Sequence, residues 1–403
     1  MEFKINENSY GLDLNQLMVI GKRSRNSKRN FLFISKVIGK HVEVRPDICR
    51  AMGYLLASLI YGKTKETQVL IDYINQSLQK TTVVRQAMER CYQPIERVAV
   101  LGFAETATGL GMAVASAITD SYYLHTTREP ITEYESLLQF EEEHSHATTH
   151  RCYPLNQEIL ATVKHLILVD DELTTGKSLL NIIQELIRVT PIRKFTVLSI
   201  LDWRTDEHQQ IIDDFCAVNK VEIEIRALVK GEVILNEETV YEDECPDVIA
   251  SKQEIHQLQM IKRLSCETSQ GIKQYYAQSG RFGIAQEEIL ELELLCEQIA
   301  KQIQSKLCGA KRVLVLGHGE DIYSPSRIAA YLEGNVFFKS TTRSPIYCEL
   351  DGPIQQKHLF YDGEIPYYFY NKDGIEAEYD QVVWITERPL NVKLTSHSLN
   401  VQL

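Results

Sequence analysis

The feature that most constrains the fold is an internal repeat. Residues 97–131 read RVAVLGFAETATGLGMAVASAITDSYYLHTTREPI, and residues 312–346 read RVLVLGHGEDIYSPSRIAAYLEGNVFFKSTTRSPI, aligned without a gap at an offset of 215. Twelve of the 35 positions are identical, where composition alone gives roughly two. Each copy runs from an apolar, β-branched strand through Gly102 or Gly317 and Glu105 or Glu320 into helical apolar spacing, then an aromatic strand and Thr-Thr-Arg-x-Pro-Ile. Strand, helix, strand is a βαβ unit, whose crossover makes the strands parallel. Two α/β cores are therefore expected, which fits 403 residues at roughly 100–200 per domain.

The alternation continues after the first copy. Leu166–Val169 and Phe195–Leu201 read as strands, Leu179–Ile187 and 206–217 as helices, and 221–235 as further strand. This predicts a mostly parallel sheet with helices on both faces. Residues 246–308, rich in Gln, Glu, Lys, Leu and Ile, read as helices linking the halves. The expected division is a first domain over 1–245 and, over 246–403, a helical connector with an α/β core from about 310.

Composition narrows the function. With 44% hydrophobic and 24% charged residues the chain can bury a core, and a net charge of −12 argues against nucleic acid as a partner. The opening Met1-Glu-Phe-Lys-Ile-Asn-Glu lacks the basic and apolar regions of a signal peptide, and nine scattered cysteines form no C-x-x-C pair. Reduced thiols and a cytoplasmic location are expected. The weakly polar run Val98 to Ile118 is interrupted by Glu105 and the Gly/Thr cluster 106–111, so no membrane span is expected. Against the acidic total, residues 21–50 carry nine Lys/Arg and two Asp/Glu, a local +7.

The sharpest motif is His165-Leu-Ile-Leu-Val-Asp170-Asp171-Glu172-Leu173-Thr174-Thr175-Gly176-Lys177-Ser178. A buried strand emerges into two carboxylates and then a turn that opens a helix, at the strand end where open α/β sheets bind ligands. Backbone N–H groups of 174–178 and the helix N-terminus suit a dianionic phosphate, with the Thr and Ser hydroxyls as further donors. Ionised Asp170 and Asp171 only accept hydrogen bonds, which suits a vicinal diol. Phosphate plus diol describes a ribose 5-phosphate. A P-loop is excluded because the Gly required five residues before Gly176 is Asp171, and neither repeat strand is followed by G-x-G-x-x-G.

Val169 through Ser178 closely resembles the phosphoribosyl-pyrophosphate signature of the type I phosphoribosyltransferases. The resemblance extends in order over about residues 95–200. It implies a pyrophosphate loop over Gly102-Phe-Ala104-Glu105-Thr106, a basic strand-end residue at Arg128, and a hood loop over Pro130–Arg151. Glu172 departs from the family, which usually has an apolar residue there. The whole chain resembles a narrower group, the phosphoribosyltransferases of tellurium-resistance gene clusters with a carboxyl-terminal TRSP domain. Thr342-Arg343-Ser344-Pro345 is that motif, and Asn26 to His41 resembles the group's opening segment.

The resemblance implies transfer of a phosphoribosyl group from phosphoribosyl pyrophosphate to an unidentified base or amine, in making a nucleoside-like metabolite linked to tellurium or stress resistance. It implies Mg²⁺ as cofactor, bridging pyrophosphate and ribose with Asp170 and Asp171 biasing the metal through water. Those aspartates are the implied catalytic pair, Thr174, Thr175, Gly176, Lys177 and Ser178 the 5-phosphate cradle, and Ala104, Glu105, Thr106 and Arg128 the pyrophosphate side. The hood carries His144, His146 and His150, open to three readings: hood donors, metal ligands or a solvated loop. Lys28, Arg29, Lys36 and Lys40 read as an amino-terminal hood receiving the nucleophile, or as a solvated face. Trp203 reads as a packing aromatic more than as a base-stacking one.

In the second copy the signature's counterpart is Gln381-Val-Val-Trp-Ile-Thr-Glu387, without the aspartates or the Thr-Gly turn. The second half is expected to be a degenerate relative of the first, packing as a pseudo-subunit, with Arg343 or Glu320 retained for a ligand. A monomer with this internal pseudo-dimer, or a homo-oligomer, fits equally. A phosphoribosyl-pyrophosphate-sensing regulator and a non-catalytic scaffold are the alternative functions.

Overall fold

The computed structural model describes residues 2–24, 30–76, 78, 81–141, 149–234, 241–242, 246–258, 260–307 and 309–403. It forms two compact units. The first comprises Met1–Gln16, Ile48–Glu237 and Gln278–Leu290, and the second Leu17–Asp47, Glu238–Ala277 and Glu291–Leu403.

The first unit runs β1 (Val98–Gly102), α1 (Thr108–Ser116), β2 (Tyr122–His125), a hairpin of β3 (Leu138–Glu141) and β4 (Thr149–Cys152), α2 (Gln157–Thr162), β5 (His165–Leu173), α3 (Lys177–Val189), β6 (Lys194–Asp202), α4 (Asp206–Asn219) and β7 (Glu222–Ile234). Its sheet has the order β7-β6-β5-β1-β2, all parallel, with antiparallel edges from Glu2–Glu7 beside β7 and Ile284–Ala285 beside β2. Every residue of β1 is buried, as an apolar β-branched run covered on two faces requires. Along α3, Leu179, Ile182, Ile183 and Leu186 are buried, the i, i+3, i+4, i+7 stripe of an amphipathic helix. α1 lies directly on β1 because glycines meet there: a Cβ at Gly111 would stand 2.9 Å from the Gly102 Cα.

The second unit runs β8 (Arg312–Gly317), α5 (Tyr323–Tyr331), β9 (Asn335–Ser340), a hairpin of β10 (Lys357–Asp362) and β11 (Ile365–Tyr370), α6 (Lys372–Glu378), β12 (Gln381–Thr386) and β13 (Ser398–Gln402). Its sheet has the order Ile255–Gln257, β13, β12, β8, β9, all parallel. Four strands thus repeat the first unit's order β6-β5-β1-β2, with hairpin and short helix in the same places. Two differences stand out. The fifth strand comes from before β8 in the chain, not from after β13, and residues 387–397 form no helix where the first unit has α3. The core gathers Leu314, Leu316, Phe360, Tyr367, Phe369, Val382 and Trp384.

The connector departs from expectation. Residues 246–285 contain strands, including a hairpin pairing Arg263↔Tyr276 through Thr268↔Gly271, and one helix, Gln286–Gln304, follows. Gly271 at φ +97° supports the turn and Cys266, Tyr275 and Tyr276 are buried. This is a period-2 signal that the Gln/Glu/Lys composition masked. The division at 245 also changes. Segment 17–47 lies in the second unit because Leu32 and Ile34 pack with Ile346, Ile354 and Tyr370, and Val44 and Phe338 exchange backbone hydrogen bonds of 2.9 Å. Segment 278–290 lies in the first because Ile284 pairs with Tyr123. No helix among the described residues is long and apolar enough to cross a membrane.

Two histidines are buried as neutral groups. Burial, aided by Lys194, pushes His165 down to about 4, and burial with Lys40, Arg23 and Lys339 pushes His41 to about 3. Their folded values lie below the unfolded value of about 6.5, so the unfolded chain binds more protons in that window and stability falls as pH drops from 6.5 toward 4. The melting temperature is expected to decline between pH 7 and pH 5, and less steeply in His165→Gln. A flat profile over that interval contradicts neutral burial.

Candidate active site

The sequence motifs meet at the carboxyl ends of β1 and β5. These strands are neighbours, with β2 beyond β1 and β6 beyond β5, so successive connections diverge there, the point at which open α/β sheets bind ligands. Past β1 the loop 103–107 is held at both ends: Phe103 N donates to the Val169 carbonyl at 3.2 Å, and Ala107 N to the Phe103 carbonyl at 3.0 Å. Ala104 N donates to Thr126 Oγ1 at 2.9 Å, and the Ala104–Glu105 peptide is cis. Ala104 and Glu105 are buried. Thr106 Oγ1 donates to Asp171 Oδ1 at 2.8 Å, joining this loop to the β5 motif.

Asp170 and Asp171 are half-buried, and Asp171 N donates to Asp170 Oδ1 at 2.9 Å. The chain then turns through Thr174 and Thr175 to Gly176, at φ +78°, which begins α3. Only glycine takes that backbone region without strain. Lys177 N donates to Thr175 Oγ1 at 3.3 Å. The turn thus brings successive N–H groups and the positive end of a 13-residue helix to one point, the arrangement that holds a phosphate.

Two side chains support these loops, and of them only Arg204 was not singled out in the sequence. Arg204, just past β6, pairs bidentately with Asp202, Nε to Oδ1 at 2.9 Å and Nη2 to Oδ2 at 2.8 Å, with side chains 7% and 5% exposed. Its Cδ would lie 3.6 Å from a Cβ at Gly176, so the aliphatic stem of a side chain fixed by Asp202 backs the turn. The only sequence signal was an Asp-x-Arg after a strand. The second is His150. Its Nδ1 is 3.0 Å from Thr126 Oγ1, the acceptor for Ala104 N, and its ring stacks on Phe140 at 4.9 Å. Phe140 meets Phe103 edge-on, and Asn181 of α3 donates to the Glu141 carbonyl at 3.3 Å. The β3–β4 hairpin is therefore docked on both the loop after β1 and α3.

Other expected residues fall elsewhere. His144, His146, Lys28 and Arg29 lie outside the described residues. Arg128 is half-buried just beyond β2. Lys36 and Lys40, expected in a hood of the first domain, belong to the second unit, where Lys40 Nζ donates to the Gly319 carbonyl at 3.3 Å. Trp203 packs on Phe3 at 5.3 Å. No group of three or more His, Cys, Asp or Glu able to hold a metal occurs among the described residues. A cleft of about 580 Å³ lined by Lys164, Arg193, Lys194 and Lys220 lies at the amino ends of β5 to β7, opposite this chemistry.

Comparison with known proteins gives the family. The family model for phosphoribosyl transferase matches residues 17–232, more than half the chain, and that for the TRSP domain found C-terminal to it matches residues 278–401. The chain belongs to the phosphoribosyl transferase family, in the form that carries a TRSP domain. None of the curated proteins compared with it matches. Among solved structures, adenine phosphoribosyl transferase from Trypanosoma brucei, in complex with AMP, pyrophosphate and ribose-5-phosphate, is 14% identical; the match covers 45% of this chain and 64% of that one, with a TM-score of 0.27. Adenine phosphoribosyltransferase from Rhodothermus marinus is 13% identical, over 53% and 95% of the two chains, with a TM-score of 0.27. The family assignment rests on the family models, not on these low scores.

Proposed function

We propose that the first unit transfers the 5-phosphoribosyl group of phosphoribosyl pyrophosphate to a nitrogen nucleophile of a base or amine. The bond from ribose C1 to the pyrophosphate oxygen breaks, a C1–N bond forms, and the nucleophile's proton leaves to solvent. The observation that carries this reading is the pair Asp170–Asp171 leading into the left-handed turn at Gly176, with Thr106 of the neighbouring loop bonded to Asp171.

In this reading the amides of Thr174 to Ser178 and their hydroxyls hold the 5-phosphate, and the Arg204 side chain, fixed by Asp202, packs behind the turn. Asp170 and Asp171 accept from the ribose hydroxyls and favour the positive charge that develops at C1. Ala104, Glu105, Thr106 and Arg128 receive the pyrophosphate, with His150 and Thr126 positioning the Ala104 amide. Holding both ends of the donor fixes C1 between them, where orientation supplies much of the rate. The donor set fits Mg²⁺: two adjacent half-buried carboxylates without a closed protein cage suit an ion that keeps waters and shares substrate oxygens. Bound through Asp170 and Asp171, it would neutralise charge on the pyrophosphate. The further reading, a nucleoside-like product linked to tellurium or stress resistance, rests on the resemblance of the whole chain to the group that carries this carboxyl-terminal domain.

The test is pyrophosphate release from phosphoribosyl pyrophosphate in a panel of purine, pyrimidine and amine acceptors, with and without Mg²⁺. Release that depends on one acceptor class and on Mg²⁺ is expected. Saturable binding of phosphoribosyl pyrophosphate without release for any acceptor would favour a sensing role and overturn the transferase reading.

A further inference from the structure

The second unit carries, at its own switch point, the counterparts of one half of this frame. β8 and β12 are neighbours, with β9 beyond β8 and β13 beyond β12, so the connections diverge at their carboxyl ends as they do between β1 and β5. Lys40 contacts the loop 318–321 that follows β8, and Arg343 and Arg388 reach it through Tyr367 and Asp362. Lys40, 1% exposed, donates to the Gly319 carbonyl at 3.3 Å. Arg343 donates from Nε and Nη2 to the Tyr367 hydroxyl, each at 3.0 Å, and that hydroxyl would lie 3.3 Å from a Cβ at Gly319. Arg388 pairs with Asp362, whose Oδ2 is 3.5 Å from His318 Nε2. His318 Nδ1 in turn lies 2.8 Å from Thr341 Oγ1.

Asp362 and Asp321 are engaged by neighbouring side chains, and Glu387 accepts from Tyr276 N at 2.9 Å. Asp362 is shared by Arg388 and His318, which hold its carboxyl below the usual range although burial opposes them. Asp321 accepts from Ser324 N at 3.2 Å and Ser324 Oγ at 3.1 Å, capping α5. Glu320 is buried, as its counterpart Glu105 is in the first unit. His41, next to Lys40, is 5% exposed, and neither ring nitrogen has a hydrogen-bond partner among the described residues.

What the second unit lacks is equally specific. β12 ends in Thr386-Glu387-Arg388 in place of the aspartate pair, and no helix follows it to offer N–H groups to a sugar phosphate. The repeat keeps Thr341-Thr342-Arg343 for Thr126-Thr127-Arg128 and the loop after β8 for the loop after β1. The pyrophosphate half is retained and the ribose-phosphate half is gone.

We propose that the second unit binds inorganic pyrophosphate, the product of the proposed reaction, between the loop 318–321, Arg343, Arg388 and Lys40. Guanidinium groups match its oxygens by paired hydrogen bonds. The proposal rests on the pyrophosphate role given above to the loop after β1.

Titration calorimetry of the full chain with pyrophosphate and Mg²⁺ tests it. Two equivalents are expected in the wild type, one in Arg343→Ala and one in Arg128→Ala, with hydrogen-exchange protection at 318–321 and 341–343 in the wild type. Arg388→Gln is a second variant, expected to weaken the same equivalent at least tenfold. A single wild-type equivalent, lost in Arg128→Ala and untouched in Arg343→Ala, overturns the proposal. A single equivalent lost only in Arg343→Ala keeps it and removes the reading of the first site. No binding at all removes both.

Discussion

Replacing Asp170 and Asp171 together by Asn is expected to lower kcat/KM for phosphoribosyl pyrophosphate by about 10²–10³-fold while leaving the fold intact. Amide oxygens still accept from Thr106 Oγ1, which bonds Asp171 at 2.8 Å, so the loop after β1 keeps its tether. What is lost is charge: hydrogen bonds to ionised acceptors are worth roughly 1.5–3 kcal/mol each, and each 1.36 kcal/mol is tenfold in rate. Both side chains are half-buried at the rim, not in the core, so the melting temperature changes little. Steady-state pyrophosphate release and a thermal melt on the same preparation check both halves. A variant that keeps full kcat/KM removes these aspartates from the reaction.

The largest stability effect is expected at Arg327, in the second unit. Its side chain is 0% exposed, with Nη1 2.8 Å from Asp47 Oδ1 and Nε 2.8 Å from Glu293 Oε1. Both acids are buried, and Glu293 also accepts from the Tyr323 hydroxyl at 2.7 Å and the Tyr331 hydroxyl at 3.0 Å. Arg327→Ala leaves two carboxylates without their counter-charge, which costs about 3–5 kcal/mol. Removing the carboxylates as well relieves that penalty, so Arg327→Met with Asp47→Leu and Glu293→Leu is expected to be more stable than Arg327→Ala. Denaturant unfolding of the two variants measures the difference. If Arg327→Ala shifts stability by under about 1 kcal/mol, the triad is not charged as drawn.

Much of the first unit was legible because its signals are local. Apolar runs bounded by Gly or Asp mark β1 and β5, and Leu179 to Leu186 repeat at helical spacing. Asp170 through Ser178 were legible as a site because a phosphate turn needs those residue types consecutively. Arg204 was not, since it packs behind a turn distant in sequence, at Gly176; His150 was marked together with His144 and His146, but its partner Thr126 lies 24 residues away and was not. The basic segment 21–50 misled for the same reason. Charge density marked it, but the apolar side chains Leu32 and Ile34 decide its partner, and they pack in the second unit. The connector misled because its hairpin is short and its polar residues are those of helices.

The repeat was legible as sequence identity, and the strand orders now give it a structural form. Both units place the second strand beside the first on one side and the third on the other.

The carboxyl ends of β1 and β5 are expected to bind phosphoribosyl pyrophosphate by its ribose 5-phosphate. Titration calorimetry with ribose 5-phosphate, which carries no pyrophosphate, isolates it on the full chain. One saturable equivalent is predicted in the wild type, lost in Gly176→Val, where a β-branched side chain meets φ +78° and Ile212 Cδ1 lies 3.2 Å from the added Cβ. Absence of binding in the wild type, or binding that Gly176→Val leaves unchanged in a folded protein, contradicts the account.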